Sequence, residues 1–131
     1  MVYRNFNTKI NFAFGLLSLV LFAFISVRSL GVVTVSFSVN NFDKVLHMTA
    51  YFVLGLCVFP ALYKVRLWMV WALLCLFGVV IECLQGAMSI GRKADFWDAV
   101  ANASGALLAG LFWLALSVTV LRLKRANSPK S

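Results

Sequence analysis

The chain has 131 residues, of which 63% are hydrophobic and only 12% charged, with a mean hydropathy of +0.94. This balance excludes an ordinary soluble domain and points to the bilayer. The formal net charge is +8, but the cations flank apolar runs instead of forming one basic face, so they read as a topology and lipid-surface signal and imply no nucleic-acid partner.

Uncharged runs cover residues 10–27, 48–63, 67–81 and 99–121, each long enough for a membrane span or most of one. The first follows Arg4 and Lys9 and is closed directly by Arg28 with no small-x-small cleavage site, so it reads as a retained helix over about 10–29 and not as a signal peptide. With Ser18 and Ser26 in its apolar run, this first helix is the candidate for the lipid-facing outer position. The alternation of apolar and polar residues over 33–39 predicts an extended segment or hairpin lying over the mouth of the bundle. Further helices are expected over about 44–63, 67–86 and 98–121, and residues 122–131 read as a disordered tail. The three cysteines, Cys57, Cys75 and Cys83, sit inside apolar runs and form no CxxC pair, which supports neither a disulfide framework nor a zinc site and leaves them as packing residues. The fold class is therefore all-α: a polytopic four-transmembrane-helix bundle forming a single domain over 1–131.

Charge sets the expected orientation. With the N-terminus inside, the inner side carries Arg4, Lys9, Lys64, Arg66, Arg122, Lys124, Arg125 and Lys130 and no acid. The outer side carries Arg28, Lys44, Arg92 and Lys93 against the chain's four carboxylates, Asp43, Glu82, Asp95 and Asp98. Eight cations against four favour both termini in the cytoplasm. At about 1.5 Å per residue, Glu82 lies roughly 22 Å along a helix starting at Leu67, and His47 about 24 Å from Tyr63, so both fall just inside the outer boundary of a core about 30 Å thick. Asn102 falls near that boundary, with Asp95 and Asp98 just beyond it.

The faces agree with the depths. Asp43, His47 and Tyr51 recur every fourth residue, Glu82 and Gln85 are three apart, and Asp95, Asp98, Asn102 and Gly105 follow at three, four and three, so each set forms one stripe of its helix. Helices 2 and 3, joined only through residues 64–66, are expected to be antiparallel neighbours with His47 and Glu82 face to face. Ionised groups avoid lipid, so the stripes should converge on a polar pocket open to the outside. Gly105 with Ala109, and Ala106 with Gly110, give helix 4 a small-residue surface for close packing.

Three segments, DKVLHMTAYFVLG (43–55), IECLQ (81–85) and GRKADFWDAVANASGALLAG (91–110), resemble in order and spacing the VanZ-like family of small bacterial membrane proteins. The similarity covers residues 43–110. It implies an integral protein of the bacterial cytoplasmic (inner) membrane with a role in the cell envelope, in a family associated with low-level resistance to the glycopeptide teicoplanin. It implies no reaction and no cofactor.

Each polar residue also has a plain structural reading. Asp43 and Asp95 can cap helices, His47 can be a hydrogen-bonded core residue, and Lys44 and Arg92 can be interfacial anchors. With no second histidine or cysteine nearby, no metal is expected at His47. Glu82 resists such a reading, because an intramembrane carboxylate implies a function or a specific buried pairing. Three functions stay open. In the first, an envelope protein binds or modifies a lipid-linked or glycan-like ligand: His47 and Glu82 act as an acid-base pair, Arg92 clamps a phosphate or carboxylate, and Asp43, Lys44, Gln85, Asp95, Asp98 and Asn102 line the pocket. In the second, the protein is a non-catalytic scaffold, for which the surface of Gly105, Ala109 and Gly110 suffices and a second copy of the chain is a natural partner. In the third, it is a proton-coupled transporter, which the lack of ionisable residues in the inner halves disfavours. Membrane lipids are partners under all three.

Overall fold

A computed structural model describes residues 8–31, 42–88 and 94–127. The expected extended segment over 33–39, the anticipated clamp Arg92 and its neighbour Lys93 lie outside the described residues. Four helices follow in order: α1 (Thr8–Leu30), α2 (Phe42–Ala61), α3 (Leu67–Ala87) and α4 (Phe96–Ala126). All four are long and apolar enough to cross a membrane, and no strand occurs among the described residues.

The helix ends follow from local chemistry. α2 runs to Pro60 in its last turn and stops at Ala61; lacking an N–H, the proline makes no bond to the carbonyl four residues back and weakens the helix there. Leu62 and Val65 close the connection with amide bonds to the carbonyls of Val58 and Leu62, at 2.9 and 2.8 Å. Extended Arg66 then opens α3. α4 begins at an Asp95 cap, whose side chain accepts from the Trp97 amide at 2.8 Å, as expected of aspartate at that position. Asp43, by contrast, sits within the first turn of α2. At the other end α4 is longer than the sequence suggests. Arg122, Lys124 and Arg125 continue the helix to Ala126, so the first half of the expected disordered tail is helical; cations are good helix formers and favour the negative end of the macrodipole.

The packing centres on α2 and α4. α4 makes its most extensive contact with α2 and a second one with α3, while α1 packs chiefly on α2. α2 and α3, expected as close neighbours because of their short connection, touch only lightly. The reason lies in the small residues. A side chain at Gly105 would collide with the Met48 carbonyl oxygen and come within 3.0 Å of the Phe52 amide, and one at Gly55 would lie 2.6 Å from the Ala109 side chain. α4 therefore approaches the α2 backbone more closely than any larger residue would allow. Around this contact Tyr51, Leu54, Val58 and Phe59 of α2 meet Leu74 and Val70 of α3 and Ala106, Ala109 and Trp113 of α4 in one buried core.

α1 buries only Asn11, Ser18 and Ile25, seven residues apart and hence one narrow seam; Leu21 and Phe22 are half-buried against the core, and most of the remaining surface is exposed, as expected of an outer helix. The hydroxyls of Ser18, Ser26, Thr49, Ser104 and Thr119 each donate to the carbonyl four residues earlier, at 2.7–2.9 Å. This internal bond lets a hydroxyl sit in an apolar span without an outside partner. Of the cysteines, Cys57 is buried as a packing residue should be, but Cys83 is exposed on α3.

Candidate functional site

One end of the bundle carries two polar layers. In the outer layer Lys44, on the first turn of α2, reaches three carboxylates. Its Nζ lies 2.9 Å from Asp95 Oδ2, 3.2 Å from Asp98 Oδ1 and 3.3 Å from Asp43 Oδ2. The long lysine stem spans from α2 to the start of α4 while its ammonium donates up to three bonds. The bond from Lys44, and after it the Trp97 amide, hold the Asp95 carboxyl below the usual carboxylate range. Sequence reading gave Arg92 the role of clamp and listed Lys44 among the pocket residues; among the described residues, Lys44 is the cation that reaches all three aspartates.

Beneath the rim lies a more enclosed layer. Asn102 is 1% exposed, Glu82 4% and Asp98 8%. His47 Nδ1 is 3.1 Å from Asn102 Oδ1, 3.8 Å from Glu82 Oε1, and on the other side of the ring Nε2 is 3.6 Å from Asp98 Oδ2. Asp98 thus joins the layers, one oxygen on Lys44 and the other toward the imidazole. Glu82 Oε2 accepts the Asp95 backbone amide at 3.4 Å, so the first residue of the α4 cap and the last turns of α3 are held together. Glu82 Oε1 and Asn102 Nδ2 are buried with no hydrogen-bond partner among the described residues, as is the hydroxyl of Tyr51 one turn below His47.

The fold brings together most of the polar residues singled out in the sequence: Asp43, Lys44, His47, Glu82, Asp95, Asp98 and Asn102. Gln85 is placed differently, donating to the Ser29 carbonyl at 2.8 Å and so tying α3 to the end of α1. Gly105 and Ala109 face α2, and Gly110 lies against the Phe59 ring, where an added side-chain carbon would meet Cζ at 2.8 Å. Tyr51 shared the helix 2 stripe in the sequence but carried no assigned role. Its complete burial beside Phe77, with ring centroids 5.8 Å apart, makes it the floor of the layer.

No curated protein and no solved structure matches the chain. A family model described as VanZ/LLP1 matches residues 2–118, which extends the similarity beyond the motifs of 43–110 to all four helices. With four membrane-length helices and a polar cluster built from those motifs, the chain belongs to the VanZ/LLP1 family.

Proposed function

We propose that this protein binds the polar head of a lipid-linked or glycan-like ligand at the outer leaflet of the bacterial cytoplasmic membrane, with both termini on the cytoplasmic side. The observation that carries the reading is the unpaired capacity of the inner layer. Buried polar atoms nearly always have partners, yet Glu82 Oε1 and Asn102 Nδ2 have none, while their neighbours are fixed by Lys44, His47 and the Asp95 amide. A site with donors and acceptors left over, held rigid by its own network, suits a polar guest that supplies the missing bonds. A membrane position suits a guest with an apolar anchor.

The scaffold alternative is weakened because Gly105, Ala109 and Gly110, its presumed docking surface, are occupied by α2 within the same chain. Transport finds no support in the other half of the bundle, where the buried polar residues among those described are Asn11, Ser18 and Ser117, none of them ionisable.

Native mass spectrometry of the protein released from bacterial membranes tests the proposal, read beside teicoplanin susceptibility of cells expressing it. The wild type should carry a lipid-linked species that Asn102→Leu and Glu82→Leu lose at unchanged expression, with susceptibility moving in parallel. Retention of the same bound lipids by both variants would refute the proposal.

A further inference from the structure

His47, Glu82 and Asp98 come from three different helices, and each offers a ligand-type atom, all within 4.8 Å of one another. Their pairing as ordinary hydrogen-bond partners fails on geometry. The Asn102 oxygen facing the ring can only accept, so His47 Nδ1 donates there. Nε2 faces Asp98 Oδ2 across 3.6 Å, too far for a hydrogen bond. Lys44 meanwhile lies 3.2 Å from the other oxygen of Asp98. Two ligand-type atoms thus face one another without a bond, and a third, Glu82 Oε1, lies buried with no hydrogen-bond partner among the described residues, its side chain 6% exposed and 3.8 Å from Nδ1 of the same ring.

We propose that His47 Nε2, Asp98 Oδ2 and Glu82 Oε1 form a binding site for one divalent transition-metal cation, of which Zn2+ is the fitting probe. This goes beyond the binding of a polar head at the inner layer, with which it shares Glu82, and its test is independent of any lipid-linked ligand. Two metal-ligand bonds of about 2.0–2.1 Å meeting at a tetrahedral or slightly wider angle hold their donors roughly 3.3–3.6 Å apart, which is the spacing of Nε2 and Oδ2. Glu82 completes the set by side-chain rotation. The Asn102 contact is the outer support such a histidine needs, since the second ring nitrogen donating to an oxygen fixes both tautomer and ring orientation. One imidazole and two carboxylates form a mixed nitrogen and oxygen set that suits Zn2+ or Mn2+, whereas Ca2+ needs six to eight oxygens. Charge agrees: among the described residues of the two layers, four carboxylates meet one ammonium, and a dication between the inner two offsets the excess in a poorly solvated place. The rim triad Asp43, Asp95 and Asp98 is equally compact, but there the Lys44 ammonium already holds the cation's position at 2.9–3.3 Å.

The test uses the full chain in lipid nanodiscs, purified on a tag without histidines and stripped with a chelator. Titration with Zn2+, followed by calorimetry and by elemental analysis after desalting, should give one ion per chain. His47→Ala, Asp98→Asn and Glu82→Gln should each weaken binding at least tenfold. Asn102→Ala should weaken it about 10- to 100-fold, as loss of an outer-shell partner does. Asp43→Asn should leave it within about twofold. Binding that survives His47→Ala but falls with Asp43→Asn would place the ion at the rim and overturn the assignment. Electron spin-echo spectra of the unmodified chain loaded with Mn2+ give a readout independent of variant folding. Nitrogen modulation from a coordinated imidazole is expected, and its absence, or failure to bind either metal, would equally overturn the proposal.

Discussion

Lys44 holds its three aspartates at nearly equal distances, so it acts as the internal counter-ion of a rim that would otherwise repel itself. Because the Asp95 carboxyl is held below its ordinary value of 3.8, first by the Lys44 bond, its proton binds more weakly in the folded chain than in the unfolded one. Such a group stabilises the fold above the unfolded value, and that contribution is lost as pH falls through the lower folded value. Thermal unfolding of the wild type should therefore show a midpoint that holds down to about pH 4 and declines below it. Lys44→Met should start from a lower midpoint at pH 7 and show a shallower acid decline; superimposable profiles would show that the lysine bonds do not govern the rim. At this scale the sequence was legible in kind but not in partner. Spacing along each helix placed the acids, His47 and Asn102 in one layer, because depth and face follow from rise and period. Which cation reaches them depends on a flexible side chain crossing between helices, and nothing in the spacing of Lys44 distinguishes it from Arg92. The same limit applies to Gln85, whose stripe was right but whose amide turns to the Ser29 carbonyl.

Among the elements, α4 does most to shape the bundle, and Gly105 is where it comes closest to α2. Gly105→Ala places a carbon against the Met48 carbonyl and within 2.9 Å of its carbon atom. The obstruction is backbone, which cannot swing aside as a side-chain tip can, so destabilisation of about 1–3 kcal/mol is expected from overpacking. Gly15 on α1 provides the contrast, with nothing within 4 Å of an added carbon; Gly15→Ala should be neutral or stabilise by up to about 1 kcal/mol through helix propensity. Midpoints of thermal unfolding in one detergent compare the two, and equal effects would mean that the close approach at Gly105 does not constrain the fold. The four apolar runs announced the helices because a bilayer admits little else. Their pairing was less legible. The short connection between α2 and α3, expected over 64–66 and spanning 62–66 in the structure, suggested that they would pack closely, but connection length limits only the distance between helix ends, while small residues decide which helix can come nearest.

For the whole molecule, orientation is the property that most needs measurement. The proposed orientation, drawn from the positive-inside bias, has Lys64 in the cytoplasm and Ala94 outside. In a chain with Cys57, Cys75 and Cys83 replaced, Ala94→Cys should react with an impermeant maleimide in intact cells, and Lys64→Cys only after lysis. The reverse pattern would put the polar cluster on the cytoplasmic face and remove the outer-leaflet ligand. The large-scale character was the part most open to sequence reading, since 63% hydrophobic residues admit few solutions in water. The contact of α4 with both α2 and α3 has a further meaning for biosynthesis. α4 follows the other three helices in synthesis, and the Asp95 amide that engages Glu82, the Asn102 oxygen that fixes His47 and the residues that fill the furrow at Gly55 and Gly78 all arrive with it. A nascent chain that has emerged only through α3 lacks these partners, so burial of the Glu82 carboxylate and assembly of the cluster both wait on the arrival of α4.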